Sequence, residues 1–428
     1  MKLHLRDAHV VDPVTGKDEP FDLLVIDGTI DRIGKNLSSD KSYEIINLHG
    51  KVIAPGLMDM HVHLREPGFE HKETIATGCA SAAAGGFTAV CCMPNTNPAI
   101  DDESVVRYVQ EQGRRAMNGI VEVFPVAAAT KNRKGEELAP IAELAEAGVV
   151  GFTDDGAPIA SAEIMRRVLE YSSMFGLPVI QHAEEPSMTR DGCMHEGAAS
   201  MRLGLPGIAR VAEEIMVARD IILLRYVPKA RYHVAHISTA ESIALVRFAK
   251  QSGLQITCEA APHHFTLTDE AVATYDTNTK VNPPLRSRDD VEAVKQGLKD
   301  GTIDVIASDH APHTIDEKEV EYTAAPFGMV GLETILGLSI TELVDSKILS
   351  IYQLVEKLST NPRRITGRTP LRIEEGSIAN LTLIDPELEW NVDVEAFRSK
   401  SRNSPFHGRK LKGKAIGIIN NERFLLAR

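Results

Sequence analysis

The chain has 428 residues, 43% hydrophobic and 25% charged, with 31 Gly and 22 Pro, a composition that excludes collagen-like, low-complexity and largely disordered proteins. Its 47 basic against 60 acidic residues leave a net charge of −13, so no overall basic field draws nucleic acid or an anionic membrane, and neither is expected as a partner. No run approaches the roughly 18 apolar residues of a membrane span, Arg6 and Asp7 interrupt the start where an export signal would be apolar, and five cysteines form no C-x-x-C pair; a cytoplasmic protein with reduced thiols is expected.

In chain order, residues 22–26 and 29–33 alternate apolar and polar around Asp27-Gly28, a hairpin signal because that pair tolerates positive φ. Eight short apolar runs follow, at 57–63, 87–93, 121–127, 149–153, 178–182, 232–237, 255–260 and 303–308. Helical periodicity lies between many of them, at 104–116, 138–147, 162–175, 211–219, 239–251 and 288–299. This alternation predicts an α/β fold with a (β/α)8 TIM barrel over residues 54–370. An open doubly wound sheet competes, but it usually brings a glycine-rich phosphate loop, and neither G-x-G-x-x-G nor G-x-x-x-x-G-K-[ST] occurs. At the far end, 380–384, 414–419 and 423–426 read as strands, the last two flanking the turn pair Asn420-Asn421. Residues 1–53 and 371–428 are each strand-poor and are expected to combine into one small β-sandwich domain.

In a barrel the chemistry sits where strands end at their carboxyl side. There the runs lead to His61 and His63, to Asn95, to Asp154-Asp155, to His182, to His236 and to Asp309. His61 and His63 are two apart, so on a strand both side chains share a face. Alone, H-x-H is as well explained by two hydrogen-bonded histidines; four imidazoles and two carboxylates at one mouth instead match two divalent ions, with zinc favoured by its ligand preferences. One of Asp154 and Asp155 is placed to bridge, the other to accept hydrogen bonds behind the ligands or simply to cap the turn before Gly156. Asp309 can ligate and also move a proton. Arg65 is suited to a bidentate grip on a carboxylate, the alternative being an ion pair with Glu66 or Glu70. Asn95 and Asn282 can donate and accept, or simply form turns. His195, His263 and His264 are read as structural; His4, His9, His49, His71, His233 and His407 carry no functional reading.

Together, Asp59-Met60-His61-Val62-His63-Leu64-Arg65-Glu66-Pro67-Gly68, Met93-Pro94-Asn95-Thr96, Thr153-Asp154-Asp155-Gly156, Val281-Asn282-Pro283-Pro284-Leu285-Arg286, Ser308-Asp309-His310-Ala311-Pro312-His313 and Pro326-Phe327-Gly328 resemble the bacterial long-chain dihydroorotase family of the amidohydrolase superfamily. The resemblance runs through most of the chain. It implies two zinc ions per subunit, with His61 and His63 on one, His182 and His236 on the other, Asp155 bridging and Asp309 completing the first site. It also implies Asp309 as general acid/base, and Arg65, Asn95, Asn282, His313 and the main chain of Phe327 and Gly328 as contacts to dihydroorotate. Many relatives bridge their metals with a carboxylated lysine, but no lysine occurs between Lys134 and Lys229, which leaves that task to Asp155.

The implied reaction is reversible hydrolysis of the cyclic amide of (S)-dihydroorotate to N-carbamoyl-L-aspartate, run as ring closure in pyrimidine (UMP) synthesis. The competing activities are those of a dihydropyrimidinase, hydantoinase or allantoinase, whose usual substrates lack the carboxylate that Arg65 suits. A non-catalytic partner of aspartate transcarbamoylase is a further alternative, against which the complete ligand set argues. A homodimer, with or without the transcarbamoylase, is what the resemblance implies for assembly. The charged segment 314–325 is expected to be a mobile lid or an ordinary solvated loop.

Overall fold

The computed structural model describes residues 1–426. Both ends of the chain enter a single eight-stranded sheet, ordered Arg423–Leu426, Lys410–Asn420, Leu381–Asn391, Val52–Pro55, Lys2–Asp12, Lys17–Ile26 and Thr29–Gly34, with Glu44–Asn47 beside Lys2–Asp12. The ends join where Val52–Pro55 runs antiparallel to the start of Leu381–Asn391, with Ile53 opposite Leu383. Asp27 and Gly28 both take positive φ, 44° and 76°, the conformation a two-residue hairpin needs to match strand twist. At the other hairpin the left-handed pair is Asn421-Glu422, one residue beyond the expected Asn420-Asn421, because Asn420 pairs with Arg423 and its amide donates to Ile120 O. The two turns meet, since a Cβ on Gly28 would lie 2.7 Å from Glu422 Cγ. The sheet therefore curls back on itself around Leu3, Leu5, Val10, Leu23, Ile30, Ile53, Leu381, Leu383 and Ile419.

Between the ends, parallel strands Leu57–Val62, Phe87–Cys92 and Glu122–Pro125 form one sheet, and Pro178–Gln181, Arg231–Val234, Ile256–Ala260 and Val305–Ile306 another. Parallel bridges link them on both sides: Phe152 joins Ala127 to Val179, and His310 joins Val62. The run at 149–153 supplies only that bridging residue as regular structure, yet Val150 N donates to Pro125 O and Phe152 N to Pro178 O, so its backbone is satisfied by both neighbours.

The helices Glu103–Arg115, Ile141–Glu146, Ala162–Met174, Val211–Tyr226, Ala240–Gln251 and Arg288–Asp300 fill the six expected stretches. Besides the short helices Ala198–Leu203, Pro262–Thr266 and Ile315–Lys318, two larger helical regions lie outside them. Ile75–Ala84 is capped by Thr74 and buries six of its residues, so IATGCASAAA carries no polar face to betray it. The other runs from Ile335–Ser339 to Asn361–Ile365, interrupted by wide π turns at Ile340–Val344 and Glu356–Thr360. Alternate strand residues divide between two cores: Val90, Cys92, Val234, Cys258 and Ile306 pack with the helices, while Ala89, Cys91, Ile180, Val305 and Ala307 pack among the strands. All five cysteines are buried and unbridged. Among the described residues no helix is long and apolar enough to cross a membrane.

Candidate active site

The carboxyl ends of the parallel strands bring His61, His63, Asp155, His182, His236 and Asp309 to one buried place. Two triads form, His61 with His63 and Asp155, and Asp155 with His182 and His236, each with its ligand atoms within 4.8 Å of one another. Asp155 belongs to both. Its Oδ2 faces His61 Nε2 at 3.3 Å and His63 Nε2 at 3.5 Å, and its Oδ1 faces His236 Nε2 at 3.5 Å and His182 Nδ1 at 3.7 Å. Asp309 stands outside the triads but reaches His63 Nε2 at 3.3 Å and His61 Nε2 at 3.7 Å. Asp154 turns away: its Oδ1 accepts from Ala129 N and Thr130 N at 3.0 Å each, and its Oδ2 from the Thr130 hydroxyl at 2.5 Å.

His61 Nε2 and Asp155 Oδ1 are buried without a hydrogen-bond partner among the described residues. Buried polar atoms are otherwise almost always paired, so a cluster of imidazoles and carboxylates with such orphans fits divalent ions between the two oxygens and the two histidine pairs. Burial opposes the charged form of His61, but the carboxylates of Asp155 and Glu259 outweigh it and hold its pKa well above the usual histidine value. Burial likewise opposes ionisation of Asp309, yet the surrounding His63, His61 and His236 keep its carboxyl well below the usual range.

Three of the four histidines, His61, His63 and His182, are oriented from behind. His61 Nδ1 lies 2.5 Å from Glu259 Oε1, whose other oxygen is 3.2 Å from His233 Nε2. His63 Nδ1 donates to Asn95 Oδ1 at 2.7 Å. His182 Nε2 is 3.0 Å from Glu184 Oε2, which also receives the Asn282 amide, while Glu184 Oε1 takes the Thr189 hydroxyl at 2.5 Å. Such partners fix tautomer and ring orientation, leaving the other nitrogen free to ligate. Glu184, His233 and Glu259 were not singled out by the sequence reading. The one available signal was a carboxylate inside the apolar run 255–260.

The remaining expected residues, Arg65, His313, Phe327 and Gly328, contact one another beside Asp309. Arg65 is buried, its Nε donating to Pro312 O at 3.2 Å and its Nη2 lying 3.4 Å from His313 Nε2. Among the described residues it has no carboxylate partner: Glu66 instead accepts from Ile75 N and the Tyr108 hydroxyl, and Glu70 from Gly68 N. Burial lowers the guanidinium only to about 10, so it stays charged at neutral pH. His313 Nε2 donates to Phe327 O at 2.9 Å, and Gly328 N donates to Lys280 O at 2.8 Å, so the two main-chain positions lie against His313 and Lys280. Arg65, His236 and Asp309 all have positive φ, 62°, 30° and 48°. Non-glycine residues pay roughly 1–3 kcal/mol for such conformations, which elsewhere in this chain fall in turns such as Asp27 and Asn421-Glu422.

A family model described as dihydro-orotase-like matches residues 50–242. The dihydroorotase of Pelotomaculum thermopropionicum is 53% identical over 426 residues, covering 100% of this chain and 99% of that protein. The dihydroorotase of Acetivibrio thermocellus is 52% identical over 417 residues, covering 97% of each. Among solved structures, the L-hydantoinase (dihydropyrimidinase) from Arthrobacter aurescens superposes with a TM-score of 0.87 at 24% identity, over 99% of this chain and 96% of that one. The dihydropyrimidinase from Brevibacillus agri NCHU1002 gives 0.84 at 21%, over 100% and 95%; at these identities the likeness is one of fold. The full-length identity near one half, carried by a chain with this histidine and carboxylate cluster, shows that the chain belongs to the dihydroorotase family.

Proposed function

We propose that the protein is a dihydroorotase that interconverts (S)-dihydroorotate and N-carbamoyl-L-aspartate in pyrimidine biosynthesis. The observation that carries this reading is Asp155 set between two histidine pairs, one per carboxylate oxygen, beside a buried arginine with no carboxylate partner among the described residues. His61, His63 and Asp309 would hold one ion, His182 and His236 the other, with Asp155 shared; zinc suits this donor set. Divalent ions bound there supply a Lewis acid for the ring carbonyl and acidify the attacking water. Arg65, with Asn95, Asn282 and His313, binds and orients the substrate, Arg65 taking its carboxylate through two parallel hydrogen bonds. Asp309 takes the proton from the water and delivers it to the ring nitrogen as the C–N bond breaks. The closure of the parallel strands into an eight-membered barrel, covered at its base by a β-sandwich of residues 1–53 and 371–428, is supported by the bridges at Phe152 and His310 and by the shared terminal sheet. A cytoplasmic homodimer, free or with aspartate transcarbamoylase, is what the family resemblance adds.

The test is metal quantification on purified protein together with turnover of dihydroorotate, carbamoyl aspartate, dihydrouracil and allantoin. Two zinc ions per chain and turnover of the first pair alone are expected. Comparable rates on dihydrouracil or allantoin, or a lysine carbamate bridging the metals, would sink the reading.

A further inference from the structure

Between the strands Leu381–Asn391 and Lys410–Asn420 the chain leaves the terminal sheet and runs to the mouth of the parallel strands. It is anchored there on the buried carboxylate of Glu73 and the half-buried one of Glu333. Glu73 accepts from Lys400 N and the Ser399 hydroxyl, and Glu333 accepts from Arg398 N and Ser399 N. Just beyond sits Asn403, 4% exposed. Its Oδ1 accepts from His313 N at 3.1 Å, its Nδ2 donates to Ala311 O at 3.0 Å and to Gly328 O at 3.1 Å, and its main-chain O accepts from Val330 N at 2.9 Å. One carboxamide thus uses both donors and an acceptor to tie the loop bearing Asp309 and His313 to the loop bearing Phe327 and Gly328. Those loops meet Arg65 through Pro312 O and His313.

We infer that Asn403 is a positioning residue for recognition of the substrate carboxylate, acting through His313 and Gly328 rather than by touching the metal triads. The inference rests on the proposed role of Arg65 and His313 in gripping that carboxylate. A planar amide is needed because a carboxylate in its place would set an oxygen against two carbonyl oxygens, and alanine would leave three buried groups unpaired. Misplacing the loops by a fraction of an ångström weakens substrate binding before it weakens chemistry, since Asp309 lies between Ser308 and His310, which Asp59 and Glu73 hold independently of Asn403, and His61, His63 and His182 have partners of their own.

The experiment compares the metal-loaded full-length enzyme with Asn403→Asp, His313→Ala and the double variant in steady-state turnover of dihydroorotate. Asn403→Asp is expected to raise KM about tenfold or more while kcat and bound metal change less than about threefold. The double variant is expected to be little worse than His313→Ala alone, as residues acting through one contact are non-additive. An unchanged KM in Asn403→Asp beside a raised KM in His313→Ala, or fully multiplicative effects, overturns the inference. An unchanged KM in His313→Ala overturns the carboxylate grip, and the inference with it. Should Asn403→Asp not fold, Asn403→Ser is read by the same criteria.

Discussion

Asp309 is the proposed proton carrier: it stands 3.3 Å from His63 Nε2 yet outside the triads that share Asp155. Asn in its place keeps volume and one oxygen but cannot take a proton at neutral pH. Asp309→Asn is expected to lower kcat by about 10²–10⁴ with KM changed far less, read by steady-state kinetics on enzyme of verified metal content. Undiminished turnover would remove the proton role. Glu259 acts one step further back, through His61 Nδ1 at 2.5 Å. Glu259→Gln is expected to weaken metal binding by about 10–100-fold, measured by chelator competition, and an unaltered affinity would leave Glu259 with no part in holding His61. The four histidines and Asp155 were legible because each follows an apolar run and because their combination matches a family pattern. Glu259 was not, since its meaning comes from a contact 198 residues away along the chain; nor was Asn403, which meets His313 across 90.

At the scale of elements, the segment 314–325 shows how a charged stretch can be firmly tied. A short helix, Ile315–Lys318, is capped reciprocally by Thr314 and Glu317, and Glu317 also pairs with Lys72 at 2.6 Å. Lys318 points inward, donating to Thr277 O at 3.1 Å and Pro326 O at 2.8 Å. Burial, aided by nearby Lys280, pushes its pKa from 10.5 down to about 7, with Asp276 and Glu317 opposing. Between those values the unfolded chain binds more protons than the folded one, so this residue makes stability rise with pH from about 7 towards 10.5, and its full penalty is felt below 7. Lys318→Met lacks that dependence. The unfolding midpoint of the unaltered protein is therefore expected to gain on that of Lys318→Met between about pH 6 and about pH 9, and a difference independent of pH would refute the shift. Sequence pattern told little here, because alternation and periodicity report which face is buried, not which lysine is turned inward. The same limit hid the helix Ile75–Ala84, whose less buried face is Ala76, Thr77, Ala80 and Ala84 and so carries no charged residue.

For the whole molecule, the C-terminal segment does two separable things. Its strand Leu381–Asn391 closes the terminal sheet, where Leu383 is fully buried opposite Ile53, and Thr382 ties that sheet to the parallel strands by accepting from Leu57 N at 3.1 Å and donating to Gly86 O at 2.7 Å. Its excursion to Asn403 serves the pocket instead. The proposed handling of a small anion by a chain of net charge −13 is compatible with this layout, because Arg65 and any cations held by the histidine cluster would act within the roughly 8–10 Å over which charge is felt at ordinary ionic strength. Leu383→Ala removes buried methyl groups from the terminal core and is expected to cost about 2–5 kcal/mol of stability, while KM and kcat of the folded enzyme at moderate temperature stay unchanged. Because Thr382 and the Val52–Pro55 pairing couple the sheet to the parallel strands, calorimetry should show the loss as a lowered midpoint of one joint transition. Two resolved transitions, only one of them moved by Leu383→Ala, would mean that the terminal sheet folds independently and that its attachment to the pocket through Asn403 is not reinforced from below.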